Sequence, residues 1–447
     1  MPYLTFFEAF RNVFTAPSFQ HFTVLMISLW ALPVVTGGPV SLARIWLESR
    51  LSRHWDALMR FVRRYAWSQA ALAETLLQLI LETVKHRLPI GPEGRYLLLV
   101  GVDETTDDHH TARKIFGVSH HFNHTAHPGQ SRYKIGHCWV TLSVLTDIWS
   151  DYVRSFAFNV ALYIGRKSCP QQQYQAKREL ATGMLEQLTQ WVGSRYQIVV
   201  VGDAYYACRQ WIGGQRQLSR RVITRLRSDA DLRAIPPARQ PHGRRGRPPL
   251  YGPRIWLSRR ARSPHQFEPP SEAWVYGQKH AVRLRKLICF WHGLPQPISV
   301  VIVRGIGKKP FYLLDTDPGA EARQTLQFYA ARHAVEQPFE DLKCDGGLGH
   351  YRGRTQTGVR RFAQLAITAH TLLRLIEVRS ELSACLPPLP EPWRKPLSHL
   401  TVGQIRRSVG RLLLDAYART GYFFTVDANS PTARNSQRTA ALLEMAA

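Results

Sequence analysis

Tyr96-Leu-Leu-Leu-Val-Gly-Val-Asp103 and Ile198-Val-Val-Val-Gly-Asp203 decide how this chain folds. Each is a short, unbroken apolar run, the pattern of a strand covered on both faces, and each runs into an aspartate. Side chains at the carboxyl ends of adjacent strands in an open α/β sheet converge on one crevice. Two carboxylates brought together there repel each other unless a cation lies between them, and hard divalent ions take oxygen ligands of that kind. An aspartate after a strand can equally well cap the next turn, so the pair needs a third element before it defines a site.

Working outward, further strands read at His137 to Thr146 and Tyr152 to Leu162, with a helical stretch from about Gln171 to Val192. Strands, a helix and another buried strand indicate an α/β core. Before Gly91-Pro92 the pattern is helical, including a buried helix at Val24 to Val35 with a turn near Gly37-Gly38. Ser41 to Arg50 and Trp55 to Tyr65 carry apolar residues at spacings of three and four, interleaved with arginines and separated at Ser52. Two readings stand for them: a helix-turn-helix-like DNA reader, or a helical bundle with a solvated basic face. From about Gly214 to Val303, Arg, Pro and aromatic residues crowd short strand-like runs, among them Arg221 to Arg227, Glu272 to Tyr276 and Leu287 to Trp291. Phe311 to Asp315 resumes the α/β core and a long helix starts near Ala320. The expected organisation is a helical N-terminal DNA-binding domain (1–92), the core's first part (93–213), a β-rich insertion (214–305), the core's second part (306–380) and a C-terminal helical tail (381–447) whose end, from Asn429, is too polar to fold.

The charge balance narrows the partners. In 447 residues, 59 Lys and Arg face 32 Asp and Glu, a formal net charge of +27 that draws the chain toward a polyanion. A membrane fits poorly, because the most apolar stretch, Val24 to Val35, is about half a bilayer-spanning length and contains Pro33. Cysteines 138, 169, 208, 289, 344 and 385 form no C-x-x-C pair, which argues against a zinc ribbon and for a reducing compartment.

The third carboxylate lies in Phe328-Tyr-Ala-Ala-Arg-His-Ala-Val-Glu-Gln-Pro-Phe-Glu-Asp-Leu-Lys343. Tyr329, Arg332, Glu336 and Lys343 follow at steps of three, four and seven, which puts all four on one helix face. A stripe of Tyr, Arg, Glu and Lys is either a solvated, salt-bridged surface or a working face. Pro338 inside the same helix predicts a kink between Glu336 and Lys343. The pattern Y-(2)-R-(3)-E-(6)-K, preceded by the two aspartates, resembles the signature of the IS-four (Y-R-E-K) superfamily of bacterial insertion-sequence transposases, over about residues 95 to 375.

That resemblance implies an RNase H-like core interrupted by a β-rich insertion, and cut-and-paste DNA transposition: metal-dependent cleavage at transposon ends and strand transfer into target DNA. It implies Asp103, Asp203 and Glu336 as catalytic metal ligands for two Mg2+ ions, with Mn2+ able to substitute, and Tyr329, Arg332 and Lys343 as active-site support and phosphate contacts. The partners implied are double-stranded DNA, as terminal inverted repeats and target, and a second copy of the chain in the synaptic complex, in a bacterial, nucleoid-associated cytoplasmic setting. Two other readings share parts of this pattern: a domesticated, non-catalytic DNA-binding regulator, and an RNase H-like nuclease without strand transfer.

Other features are open to two readings. Arg245-Gly-Arg247-Pro248 resembles an AT-hook core suited to a narrow minor groove, or is a basic loop touching phosphates. Arg352, Arg354, Arg360 and Arg361 read as phosphate contacts or as a solvated face. Trp291 could stack on a flipped base or pack the insertion's core. Six histidines from His109 to His127 have no standard zinc spacing and read as a polar, DNA-facing hairpin.

Overall fold

The computed structural model describes residues 5–36, 40–49, 54–91, 93–109, 114–123, 126–169, 173–236, 249–387 and 399–420. Arg245 and Arg247, the residues around Ser52, Gly37-Gly38 and the tail beyond 420 lie outside them.

The N-terminal segment folds into α1 (Thr5–Glu8), α2 (Ala16–Thr36), α3 (Leu42–Ser49), α4 (Ala57–Arg63) and α5 (Gln69–Val84). Phe7, Phe10, Phe22, Trp30 and Phe61 are fully buried there, and Phe61 stacks on Trp67 at 5.5 Å. Helix α2 continues through Pro33, which sits near its end. Helices α3 and α4 lie within the two arginine-rich amphipathic stretches, Ser41 to Arg50 and Trp55 to Tyr65.

The central part alternates strands and helices: β1 (Tyr96–Thr106), β2 (Ser119–Phe122), β3 (Tyr133–Gly136), β4 (Cys138–Thr146), β5 (Arg154–Tyr163), α6 (Lys177–Val192), β6 (Tyr196–Gly202), α7 (Arg209–Gln217) and β7 (Arg221–Leu226). Then come β8 (Leu232–Arg233), β9 (Arg254–Ile255), α8 (Leu257–Ala261), β10 (Ser271–Val275), β11 (Gln278–Trp291), β12 (Ile298–Arg304) and β13 (Phe311–Asp315). The chain ends in α9 (Ala322–Ala331), α10 (Glu336–Cys344), α11 (Gln356–Val378), α12 (Ser380–Ser383) and α13 (Val402–Thr420).

One mixed sheet organises these elements in the order β5-β4-β1-β6-β7-β13-β12-β11-β8-β9, with β10 paired to β11. Strands β1, β4 and β5 form an antiparallel meander, while β6 and β7 run parallel to β1. Strands from the β-rich span 214–305 join this sheet. The first of them, β7, pairs in parallel with β6, and β11 and β12 continue the same ladder through β13. Arginines at both ends of Arg221 to Arg227 hid a core strand whose middle, Val222 and Ile223, is fully buried.

Alternation along β1 divides the sheet's two faces. Leu98, Val100 and Val102 face the larger core with the N-terminal helices, α6 and α11. Leu97 and Leu99, with Val199 and Val201 of β6, face the smaller core under α9. The N-terminal helices share that larger core: Trp30 Nε1 donates to the Ala369 carbonyl of α11 at 2.8 Å.

The long helix expected from Ala320 is broken. A tight 3-10 turn, Arg332–Val335, joins α9 to α10. Pro338 falls in the first turn of α10, where helical N–H groups lack helical partners in any case, so the interruption comes before Glu336 and not after it.

Candidate active site

The two aspartates meet through strand register. Val102 of β1 is level with Gly202 of the parallel β6, so Asp103 and Asp203 are the next residues on neighbouring strands. Asp103 differs from expectation in one respect: β1 continues past it, pairing Asp103 through Thr106 with β4. The apolar run stops at Val102, but a ladder of backbone hydrogen bonds does not need apolar side chains to continue. Asp203 does end its strand and caps the turn that follows, accepting from the Tyr205 N–H at 2.9 Å. Asp103 shares the alternation of Leu97 and Leu99, which faces α9.

Glu336 reaches that face because of Gly101. A Cβ on Gly101 would lie 2.6 Å from Val335 Cγ2, so only glycine lets the 3-10 turn settle onto β1. Arg332, in that turn, then spans two of the carboxylates. Its Nη1 donates to Asp103 Oδ2 at 2.5 Å and its Nη2 to Glu336 Oε1 at 3.4 Å. His333 Nδ1 lies 3.2 Å from the other Glu336 oxygen. Asp103 is 13% exposed and Glu336 48%, so the site grades from a buried floor to an open rim.

Electrostatics follow that gradient. Burial pushes the Asp103 carboxyl up to about 7, against the pull of Arg332 and a hydrogen bond from the Glu104 N–H, with Asp203 and Glu104 adding repulsion. Burial alone would lower the Arg332 guanidinium, but Asp103, Tyr329, Glu336 and Asp203 together hold it above its ordinary value. The guanidinium therefore occupies the place where a cation is needed most.

The remaining candidates are placed unevenly. Tyr329 is buried in the smaller core, its hydroxyl raised by burial and influenced by Arg332 and Asp203. Lys343 is exposed in the last turn of α10. Arg352 and Arg354 are exposed in the loop before α11. Arg361 is not a free phosphate contact: it donates to the carbonyls of Tyr65 (2.8 Å) and Trp67, with its guanidinium over the Trp67 ring at 4.3 Å. Trp291 ends β11 opposite Leu232 and packs, partly buried, against the larger core. The histidine-rich stretch does form a hairpin, β2 against β3, with His120 exposed on it, while His109 and His121 are buried.

Several neighbours had no sequence signal. Glu104, on the opposite face of β1, takes the Lys177 ammonium at 2.6 Å and the Tyr206 hydroxyl at 3.3 Å. Tyr276, at the β10–β11 turn, places its half-exposed ring 5.1 Å from His333, and with Glu336, Gln337 and Glu340 it lines a cleft of about 230 Å³. Its positive φ of 54° marks the tight turn that brings it there.

Residues 19–287 match the model of the DDE superfamily endonucleases, a span that holds both aspartates and stops before Glu336. The chain belongs to that family. Among solved structures, this DDE-superfamily chain is similar to a piggyBac transposase in a synaptic complex with hairpin DNA, determined by cryo-electron microscopy. The two share 12% identity over 96% of this chain and 78% of that one, at a TM-score of 0.42. No curated protein matches it. No helix among the described residues is long and apolar enough to cross a membrane.

Proposed function

We propose that this DDE-superfamily protein is a DNA transposase of the Y-R-E-K type, cutting DNA at transposon ends and joining the freed ends to target DNA. The observation that carries the reading is Arg332 bridging Asp103 and Glu336 over a strand pair that sets Asp103 level with Asp203. Arg332 and Glu336 belong to the Y-R-E-K spacing and the aspartates to the two apolar runs, and Arg332 meets Asp103 across 229 residues of chain. The meander β5-β4-β1 followed by parallel β6 and β7 supports an RNase H-like core.

The donor set fits hard divalent ions: three carboxylates, one of them buried with its charge opposed by its surroundings until a cation arrives. Bound magnesium would supply Lewis-acid activation of water and stabilisation of the leaving oxygen. In this reading Asp103 and Asp203 form the fixed floor and Glu336 the adjustable rim. Arg332 keeps the buried charge compensated and orients Glu336. Lys343, Arg352 and Arg354 bind the DNA backbone, with Arg245 and Arg247 as further contacts. Tyr276, beside His333 and Glu336, is better placed than Trp291 for a base to stack on. A dimer holding both transposon ends and a bacterial cytoplasmic setting belong to the same proposal.

The test is magnesium-dependent cleavage of DNA carrying the element's own ends, comparing wild type with Asp203→Ala and Glu336→Ala. Wild type should nick or excise while both variants bind without cutting. Specific binding with no metal-dependent cutting by wild type would instead identify a non-catalytic DNA-binding regulator. Cleavage without joining to target would identify a nuclease.

A further inference from the structure

Four residues beyond Asp103, where β1 ends, a second group of ligand-type side chains closes up. Among the described residues, Asp107, His109 and His137 are all buried and offer ligand atoms within 4.8 Å of one another. Asp107 Oδ1 lies 3.4 Å from His109 Nε2, and Asp107 Oδ2 lies 3.4 Å from His137 Nδ1. Ligands on a tetrahedral ion at bonds of 2.0–2.1 Å stand about 3.3 Å apart, and each histidine stands at about that distance from its own oxygen of the Asp107 carboxylate.

The contacts between the rings and the carboxylate are long enough for an ion to take the place of a proton. His137 Nε2 bonds to the Phe116 carbonyl at 2.9 Å, so Nε2 carries a proton, and Nδ1 faces Asp107 Oδ2 at 3.4 Å, a contact that needs either a second proton or a metal ion between the two atoms. A histidine whose other nitrogen donates to a backbone carbonyl is the usual arrangement of a metal-bound imidazole. His109 Nε2 is buried, and its 3.4 Å approach to Asp107 Oδ1 falls short of a well-formed hydrogen bond, a gap that asks for an explanation. Asp107 already accepts from the His137 N–H at 2.7 Å on one oxygen and from Trp139 Nε1 at 3.0 Å on the other, which holds the carboxylate in place.

The cradle is tight on its remaining sides. A Cβ on Gly136 would lie 1.8 Å from the Asp107 carbonyl, and one on Gly349 would lie 3.2 Å from Asp107 Oδ2. The backbone supplies the convergence: the Asp107 N–H donates to the His137 carbonyl at 3.1 Å and the His109 N–H to the Ile135 carbonyl at 2.7 Å.

We propose that Asp107, His109 and His137 form a structural zinc site, separate from the three carboxylates, that clamps the end of β1 to the start of β4. Three protein ligands leave one tetrahedral position for water. The clamp would stiffen the strand that carries Asp103 and would not take part in its chemistry.

The full-length chain should be purified without chelator, dialysed against metal-free buffer and assayed for zinc by atomic emission. The same chain, stripped and reloaded with cobalt, reports the site by its tetrahedral visible absorption. Wild type and Glu336→Gln should each retain one zinc per chain and show the cobalt band. His109→Gln, which removes the 3.4 Å contact with Asp107, should lose both, with zinc affinity at least about 100-fold weaker. Asp107→Asn, which keeps an acceptor for Trp139, should weaken zinc as well while its circular dichroism matches that of metal-free wild type. Zinc binding in wild type no tighter than in His109→Gln would overturn the proposal. So would zinc lost from Glu336→Gln as readily as from His109→Gln, because that would place the ion at the carboxylate site.

Discussion

Asp103 carries the sharpest consequence at the scale of single residues. Its carboxyl is raised from 3.8 to about 7, so between those values the folded chain holds a proton that the unfolded chain has lost. Stability present at the acid end is therefore lost as pH rises through that window, at about 1.4 kcal/mol per unit of displacement. In chelator at pH 8, Asp103→Asn should melt several degrees above wild type, and the difference should vanish near pH 4. Magnesium at pH 8 should raise the melting temperature of wild type and leave that of Asp103→Asn unchanged, since an ion that binds only the folded state stabilises it. A variant that melts below wild type at every pH would show that the buried charge is fully compensated by Arg332. Arg332→Lys keeps one charge but cannot fork to two carboxylates, and cleavage should fall by about 10-fold or more while DNA binding holds. Equal activity would remove Arg332 from the site's working parts.

The elements are held in register by a buried ion pair distinct from the three carboxylates. Arg221 of β7 grips Asp315 of β13 through Nε at 3.0 Å and Nη2 at 2.7 Å, and Thr325 of α9 donates to the same carboxylate at 2.7 Å. Three elements meet there, and α9 leads directly into the turn that bears Arg332. Removing one partner leaves an uncompensated buried charge, which costs about 3–5 kcal/mol. Asp315→Ala should therefore lower the denaturation midpoint by that amount, and replacing both partners by apolar residues of similar size should recover much of the loss. A loss below 1 kcal/mol in urea titration would count against this pair as the anchor of α9. The β-rich segment belongs to the same element-scale logic: its strands extend the central sheet, and the turn at Tyr276 reaches back to His333. Tyr276→Ala should leave nicking of simple DNA unchanged and slow any step that needs an unpaired base, read with substrates that carry 2-aminopurine at the cleavage position.

Taken whole, the chain couples a +27 surface to a core that runs without interruption from the N-terminal helices to the sheet. The charge predicts steep salt dependence. If about six phosphates are neutralised, affinity for DNA should fall about 10³-fold or more between 50 and 200 mM salt. A flat dependence over that range would mean the basic residues are not spent on phosphates. The shared core predicts that a chain lacking residues 1–92 loses the packing around Trp30, Phe61 and Trp67 and does not fold as an independent catalytic unit. Soluble expression of that truncation with native near-ultraviolet circular dichroism would refute this.

Much of the architecture is local information, and the sequence determined it alone. Continuous apolar runs mark strands covered on both faces, so β1 and β6 and the aspartates that follow their apolar parts were legible from residue order, as was the Tyr-Arg-Glu-Lys spacing. What depends on which strand lies beside which was not legible. Parallel register set Asp103 level with Asp203, a missing Cβ at Gly101 let the turn bearing Arg332 descend onto the sheet, and antiparallel pairing carried His137 to Asp107 and His109. No spacing rule within the histidine-rich stretch could reveal that last group, because its third member, His137, lies ten residues beyond His127, between β3 and β4. Local pattern sets the elements, because hydrophobic periodicity and backbone preference act over a few residues. Register and close approach decide the site, because they are settled only when distant segments compete for the same core.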